Sequence, residues 1–292
     1  MTLGVPYAEV IGDPIAHSKS PLIHSFWLEK LGLEGDYRAL RVGKAELPAY
    51  LHDRRRDPAW RGCNVTMPLK EAVLPFATQC SRDVQQVRAA NCLVRHEDGS
   101  LEAFNFDIEG VATPLRCLSS ADDPGHVATC VYVIGSGGAA RAAGLGARSA
   151  GYADVRVFTR NREKGLELVA AMLGAPFSEA QPLENLGPIR NEGDGAGKQR
   201  HLHVVINATP MGMLGQPEVP IDLSAFYPDT IVFDMVYDPL ETGMIRQARR
   251  LGMRTIDGLT MLIEQAALGF TRFFGAEPPR ALDAELRERL TA

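Results

Sequence analysis

A run of β-branched and aromatic residues, Val131-Tyr132-Val133-Ile134, passes directly into Gly135-Ser136-Gly137-Gly138-Ala139-Ala140-Arg141-Ala142. The pattern is that of a buried strand, a tight turn and a helix opened by small residues. It fits G-x-G-x-x-G/A with Gly135, Gly137 and Ala140, and Gly138 and Ala139 between them join the expected cofactor-binding residues. The first glycine permits the turn, the second lets backbone approach a diphosphate, and the small third residue lets helix pack on strand. Free N–H groups and the positive end of the helix dipole would face the phosphates. Glycine-rich turns after buried strands also serve packing alone, so the surroundings of this junction must decide its meaning.

Those surroundings repeat the strand-helix alternation of a parallel sheet. The helix runs to about Ala150, Val155 to Thr159 forms a second strand, and a helix follows from Glu163 to Leu173. The second strand ends in Thr159-Arg160-Asn161-Arg162, where an acidic residue would bind the 2′-hydroxyl of NAD and an arginine suits the 2′-phosphate of NADP. Arg160, helped by Arg162 or Lys164, therefore favours NADP, although Arg162 and Lys164 also read as a basic helix entry on a solvent face. A third strand, His203 to Ala208, leads into Thr209-Pro210-Met211-Gly212-Met213. The loop carrying Thr209, Met211 and Met213 would face a nicotinamide, with both methionines walling the ring, although methionine is more often a plain gap filler. Ile231 to Met235 is a fourth strand, followed by Val236-Tyr237-Asp238-Pro239. A helix from Thr242 to Leu251, a strand at Arg254 to Ile256, a long helix from Leu259 to Phe274 and a last helix from Ala281 to Leu290 complete the order. Leu186 to Arg200, with four glycines and few apolar residues, reads as a surface insertion.

The residues before the glycine turn form a second α/β pattern. Tyr7 to Ile11 reads as a strand ended by Gly12-Asp13-Pro14, and Ser18, Lys19 and Ser20 precede Pro21 at the start of a helix to Leu31. Two hydroxyls at a helix start either cap it or, with free N–H groups, bind an anion. Tyr37 to Val42 is a strand, Ala45 to Arg56 a helix and Gly62 to Thr66 a strand. Met67-Pro68-Leu69-Lys70 then opens another helix, which places Lys70 at a strand-to-helix switch. Alone it reads as a surface charge. Asp98-Gly99 joins Ala89 to Arg95 with Ser100 to Asn105 in a hairpin. Asn91 lies on its first arm, and Asp107 lies after the second as a helix N-cap or a working carboxylate. The polar break Ser119 to Gly125 suits a hinge.

Composition excludes several classes. The chain has 292 residues, enough for two domains, and its net charge of −5 offers no broad basic surface for nucleic acid. Five scattered cysteines without a C-x-x-C pair read as reduced, buried small hydrophobes of a cytosolic protein, with no disulfide frame and no metal site. No apolar run reaches bilayer length and no basic-then-apolar leader opens the chain, so neither membrane insertion nor export is expected.

Taken in order, these segments resemble the shikimate dehydrogenase family, including its quinate/shikimate dehydrogenase relatives. The resemblance rests on Gly12-Asp13-Pro14-Ile15-Ala16-His17-Ser18-Lys19-Ser20-Pro21, Asn64-Val65-Thr66-Met67-Pro68-Leu69-Lys70, Ala90-Asn91 and Asn105-Phe106-Asp107. It continues through the glycine turn, Asn207 to Met213, Asp234 to Pro239 and Asp257 to Gln265. It implies an α/β chain of two domains: a substrate-binding domain over 1–110 plus 258–292, and a Rossmann domain over 111–257 binding NADP. The C-terminal helix would return to the first domain, and the active site would be the cleft between the two. Ser18 and Ser20 match residues holding the substrate carboxylate. Asn64, Thr66, Asn91, Asp107 and Gln265 match residues binding ring hydroxyls, and Tyr237 matches a tyrosine near the carboxylate. Lys70 and Asp107 match the catalytic pair: an ammonium gives a developing alkoxide both positive charge and a proton, and the carboxylate orients it.

The implied reaction is the reversible NADP-dependent reduction of 3-dehydroshikimate to shikimate, in the route to chorismate and aromatic amino acids. The expected setting is a cytoplasmic monomer or homodimer. Departures from the family pattern are Phe106, where threonine is usual, Ile108 and Thr260, where glycine is usual, Thr159 in place of asparagine, and Phe273-Phe274 in place of Trp-Thr. Phe106, Ile108 and Thr260 keep a quinate-type substrate open, and a non-catalytic nucleotide-responsive binding protein is the alternative from another class.

Overall fold

The computed structural model describes residues 4–120, 130–171, 179–187 and 203–292. The chain forms two units, residues 1–106 with 263–292 and residues 107–262. The expected boundaries were 110/111 and 257/258. Asp107 and the three residues after it go with the second unit because the helix they open packs there: the Cβ position of Gly146 lies 2.6 Å from the Ile108 carbonyl oxygen and 2.8 Å from Val111.

In the first unit, β1 (Tyr7–Gly12) leads to α1 (Ser20–Leu31), β2 (Asp36–Arg41), α2 (Leu47–Arg54) and β3 (Trp60–Val65). Then come β4 (Gln79–Cys80), α3 (Arg82–Val87) and the hairpin β5 (Cys92–Arg95) and β6 (Leu101–Phe104). The sheet order is β2-β1-β3-β5-β6-β4. β1 pairs in parallel with both β2 and β3, and the hairpin strands add antiparallel. β1 is buried along its whole length, as a central parallel strand should be. Its one charge, Glu9, is held by the Tyr50 hydroxyl at 2.6 Å and by both arms of Arg54 at 2.8 and 2.9 Å.

The second unit runs α4 (Asp107–Ser120), β7 (Cys130–Ile134), α5 (Gly138–Ser149), β8 (Asp154–Thr159), α6 (Arg162–Ala171) and β9 (Glu179–Pro182). It continues with β10 (Val204–Asn207), β11 (Ile231–Asp234), α7 (Gly243–Arg250) and β12 (Arg254–Ile256). Its sheet is parallel throughout, in the order β12-β11-β10-β7-β8-β9. Ala140 and Ala143 of α5 pack with Val131 and Val133 of β7, which is the helix-on-strand closeness that the small residues anticipate. The unit boundary falls inside α8 (Gly258–Phe274). The chain ends in α9 (Asp283–Thr291), which packs on α1 of the first unit, with Leu286 and Leu290 buried and Lys19 Nζ donating to the Leu290 carbonyl at 2.5 Å. Among the described residues no helix is long and apolar enough to cross a membrane.

Several expectations need correction. No helix starts at Met67: residues 67–73 are turns, and only Leu74–Phe76 closes a short 3₁₀ turn. The buried Leu69 ties this segment down, so hydrophobic anchoring replaces helical bonding. Asp107 is the first helical residue and not a cap outside it. β4 and α3 went unread because two and six residues are too short to display a period. Of the five cysteines, all free, Cys63 and Cys92 are buried, Cys80 and Cys130 half-buried, and Cys117 exposed. Residues 119–120 continue α4, while 121–125 of the expected hinge, 172–173 of the expected helix and 188–200 of the expected insertion lie outside the described residues.

Candidate functional site

Both sheets change direction once, and Thr66 in the first unit and Gly135 and Thr209 in the second lie at the strand ends there. In an open α/β sheet, the carboxyl ends of two strands whose connections leave in opposite directions form a crevice that binds ligands. In the first unit β1 is followed by β2 on one side and β3 on the other. The ends of β1 and β3 meet so closely that a Cβ at Gly12 would lie 2.4 Å from Thr66 Cγ2 and 2.8 Å from the Met67 carbonyl oxygen. Gly12 is thus required here, a role its sequence reading as a strand terminator missed. The Thr66 N–H donates to the Ile11 carbonyl and the Asp13 N–H to the Met67 carbonyl. The Lys70 carbonyl accepts from the Ala90 N–H at 2.8 Å, which fixes the backbone carrying Lys70 against the residue before Asn91.

Beside this crevice α1 begins with Pro21 in its first turn and no side chain capping it. Ser18 Oγ accepts from the Ser20 N–H at 3.4 Å, and Ser20 is buried. Uncapped N–H groups flanked by two hydroxyls suit an anion.

Deeper in the first unit the amides form a chain of fixed polarity. The Phe106 N–H donates to Asn91 Oδ1 at 2.7 Å, so Asn91 Nδ2 is the donor to Gln265 Oε1 at 3.2 Å. Asn64 Oδ1 accepts from the Tyr37 hydroxyl at 2.6 Å, and Asn64 Nδ2 reaches the Asn91 carbonyl at 3.4 Å. Asn64, Asn91 and Gln265 are all buried, so these bonds, and not solvent, set which atoms each amide presents. Tyr37 is also buried, which drives its phenol well above the ordinary range and keeps it a donor. Its ring stacks face to face on His24 at 3.9 Å. Neither Tyr37 nor His24 was singled out from the sequence; His24 lies in α1 four residues beyond Ser20, and that helical spacing was the available signal.

In the second unit the switch lies between β7 and β10. Gly135 has φ +121°, and a Cβ on it would meet Thr209 Cγ2 at 3.0 Å and the Ala208 carbonyl oxygen at 3.1 Å. Gly137 caps α5 without a side-chain bond, and the space where its Cβ would project holds nothing within 4 Å. Gly138, Ala139 and Ala140 follow as the first residues of α5, so an open cradle stands before a helix N-terminus, which fits a diphosphate. At the end of β8 the Thr159 hydroxyl donates to Ser136 Oγ at 2.9 Å and accepts from the Asn161 N–H. Asn161 Oδ1 in turn accepts from the Lys164 N–H at the start of α6. Arg160 and Arg162 are exposed there and have no carboxylate partner among the described residues. No acid ends β8, so this edge fits a 2′-phosphate better than a bare ribose.

The loop after β10 is held by a buried network that sequence reading did not single out. Asn207 Nδ2 donates to Asp234 Oδ1 and to the Met211 carbonyl, both at 2.9 Å, while Asn207 Oδ1 accepts from the Thr209 N–H and hydroxyl. Asp234 also accepts from the Val236 N–H and the Thr242 hydroxyl. Burial outweighs these donors and pushes the Asp234 carboxyl up to about 6. The network leaves Met211 buried and Met213 exposed, and burial raises the phenol of Tyr237, three residues past Asp234.

Three departures from the family pattern have uses inside their own units. The Phe106 ring stacks on Phe104 at 5.3 Å, whose ring lies 4.8 Å from the Arg272 guanidinium. Ile108 is buried against α5. The Thr260 N–H and hydroxyl both donate to Asp257 Oδ1, at 2.9 and 3.0 Å, closing the first turn of α8.

A parallel sheet with a glycine cradle at its switch point, joined to a second α/β unit with an uncapped helix start, defines the class of two-unit dinucleotide-dependent oxidoreductases. Comparison with known proteins narrows the class. Residues 10–93 match the shikimate dehydrogenase substrate binding domain, and residues 258–285 match the shikimate 5′-dehydrogenase C-terminal domain. Shikimate dehydrogenase (NADP(+)) of Sphingopyxis alaskensis is 44% identical over 287 residues, covering 98% of this chain and 97% of its own. The crystal structure of shikimate 5-dehydrogenase from Thermus thermophilus, in complex with NADP(H) and shikimate, is 34% identical with a TM-score of 0.80, covering 98% of this chain and 99% of that one. Quinate dehydrogenase from Corynebacterium glutamicum in complex with NAD is 26% identical, with a TM-score of 0.80 and the same coverages. The chain belongs to the shikimate dehydrogenase family.

Proposed function

We propose that this chain is an NADP-dependent dehydrogenase interconverting 3-dehydroshikimate and shikimate, a cytoplasmic step toward chorismate and the aromatic amino acids, working as a monomer or homodimer. The observation that carries the reading is the Asn91–Gln265 hydrogen bond. It joins two residues from distant parts of the chain, both assigned to ring hydroxyls, in an amide chain whose polarity is fixed from the backbone.

Ser18 and Ser20 at the uncapped start of α1 hold the carboxylate, and Tyr237 is assigned to the same group by its match to the family pattern. Asn64, Thr66, Asn91, Gln265 and Asp107 orient the hydroxyls, so that one ring carbon is presented for reaction. Lys70 delivers a proton to the oxygen as the ketone is reduced and takes it back in the reverse direction; its ammonium charge stabilises the developing alkoxide. Asp107 is assigned as the carboxylate of the catalytic pair by its match to the family pattern, accepting from a substrate hydroxyl. Gly135, Gly137, Gly138, Ala139 and Ala140 hold the diphosphate, Thr159, Arg160 and Arg162 the 2′-phosphate, and Thr209, Met211 and Met213 the nicotinamide end. The bound dinucleotide supplies the hydride chemistry.

Phe106, Ile108 and Thr260 were the grounds for a quinate-type substrate, and their engagement in internal packing and capping supports shikimate. The deciding experiment measures kcat/KM for shikimate and quinate with NADP and with NAD. A clear preference for shikimate with NADP is expected; equal or better use of quinate, or of NAD, overturns the assignment. Lys70→Ala is expected to lower kcat by roughly 10²–10⁴-fold, the usual weight of a general acid–base, while NADP affinity stays within about twofold. Unchanged turnover would remove Lys70 from the reaction.

A further inference from the structure

Proposed carboxylate binding at α1 and proton transfer at Lys70 occupy only one edge of the first unit's sheet, the carboxyl ends of β1 and β3. At the opposite edge, where β1 and β3 begin, the surface forms a concavity of about 360 Å³. Six residues of each strand separate the two edges, about 17 Å of extended chain. The concavity is lined by Arg61, Arg95 and Arg272, by Phe273 and Phe274, and by one carboxylate, Glu34.

The arginines are unusual in how little they are paired. The antiparallel register Gly62↔Val94, continued by one position, sets Arg61 across from Arg95, and like charges facing each other in a ladder are destabilising. Arg95 donates to the Arg55 carbonyl at 3.0 Å, and Arg272 lies over the Phe104 ring at 4.8 Å. Among the described residues none of the three forms an ion pair with a carboxylate, and Arg61 makes no side-chain hydrogen bond. Arg272 stands in the last turn of α8, where it offsets the helix dipole. Arg61 and Arg95 stand on the sheet and have no such use. A chain of net charge −5 has carboxylates in excess, yet it supplies one here against three guanidinium groups.

We infer that this concavity is a binding site for a small organic anion, with a phosphate or carboxylate head between the guanidinium groups and a flat, unsaturated body against Phe273 and Phe274. Planar guanidinium groups recognise both heads through paired N–H donors, and Arg and aromatic faces hold flat bodies. Occupancy reaches the proposed substrate residues through one helix. Phe273 contacts the Cβ position of Gly269 at 3.5 Å, Asn64 contacts the same position at 3.3 Å, and Gln265 lies one turn before Gly269 on α8. Binding at the concavity therefore changes the KM for shikimate more than kcat; this second arm rests on the substrate assignment made above, whereas binding itself does not.

The test is calorimetric titration of the full chain with phenyl phosphate, benzoate and inorganic phosphate, in the presence of saturating shikimate and NADPH. That pair does not react and fills the proposed carboxylate and phosphate sites. One equivalent of phenyl phosphate or benzoate is expected to bind, the stronger of the two naming the head group, with inorganic phosphate weaker than phenyl phosphate. R61E/R272E should weaken binding by at least about tenfold, the effect of losing one charge-assisted hydrogen bond, while kcat is retained. Arg61→Ala is a second variant whose side chain supports no other part of the fold. Absence of binding up to millimolar concentration, or equal affinity in the wild type and both variants, overturns the site. Binding lost in the variants with KM insensitive to phenyl phosphate and benzoate refutes the coupling through α8. Failure of shikimate or NADPH to bind instead counts against the proposed function, and the comparison between wild type and variants still reads the site.

Discussion

Acid should unfold the first unit through one side chain, His24. Its ring is completely buried between Trp27, Tyr37, Phe270 and Phe273, and neither ring nitrogen has a hydrogen-bond partner. Burial pushes its pKa down to about 3, against 6.5 for an exposed histidine. Between these values the unfolded chain binds a proton that the folded chain refuses, so the stabilising contribution is complete above pH 6.5 and is lost as the pH falls toward 3. The slope approaches about 1.4 kcal/mol per pH unit below 6, so lowering the pH from 6.5 to 4.5 removes on the order of 2 kcal/mol, a large part of ordinary domain stability. His24→Phe keeps a flat ring on Tyr37 and removes the titrating group; at pH 7 its cost should stay below about 1.5 kcal/mol, since the shapes are similar and no hydrogen bond is lost. Urea unfolding of both proteins at half-unit pH intervals, followed by the fluorescence of the first unit's Trp27 and Trp60, measures the difference. Parallel pH profiles for the two proteins between 4.5 and 6.5 would refute the reasoning.

Asp234 should act in the opposite sense in the second unit: its folded carboxyl titrates at about 6 against 3.8 unfolded, so stability falls as the pH rises through that window, by on the order of 3 kcal/mol. Asp234→Asn should flatten that fall in a urea series monitored by hydrogen exchange of β10 and β11. Tyr37→Phe leaves Asn64 Oδ1 without its buried donor, which should cost about 1–3 kcal/mol of stability and raise the KM for shikimate several-fold with little change in kcat; a kcat loss without a KM change would count against an orienting role for Asn64. Gly12→Ala inserts a methyl group 2.4 Å from Thr66 Cγ2 and 2.8 Å from the Met67 carbonyl, so the strand ends must part, and kcat/KM should fall about tenfold or more. Circular dichroism matching the wild type alongside an unchanged kcat/KM would show that the crevice absorbs the methyl group.

The glycine turn, the alternating elements and the parallel second sheet were legible because they rest on local rules: β-branched runs, glycines at fixed spacing and helix starts that involve only neighbouring residues. The candidate site residues were legible as motifs, since Ser18, Ser20, Lys70, Asp107 and Arg160 each stand beside a turn or a helix start. Their partners were not. Tyr37 and Asn64 meet only because β2 and β3 flank β1, and Asn207 and Asp234 meet only because β10 and β11 pair in register. The turn at Met67 was misread for the same reason, because backbone bonds to β1 and Ala90, and not helix propensity, decide its path.

The sequence by itself determined the class of fold, the cradle for a diphosphate and the chemistry on offer, because strand runs, turns and helix starts are dictated by residues adjacent in the chain. Only the tertiary structure decided which way each buried amide points, how far His24 and Asp234 depart from ordinary titration, and that three arginines share one concavity. Those properties depend on burial and on contacts between residues far apart in sequence, and no local pattern encodes either.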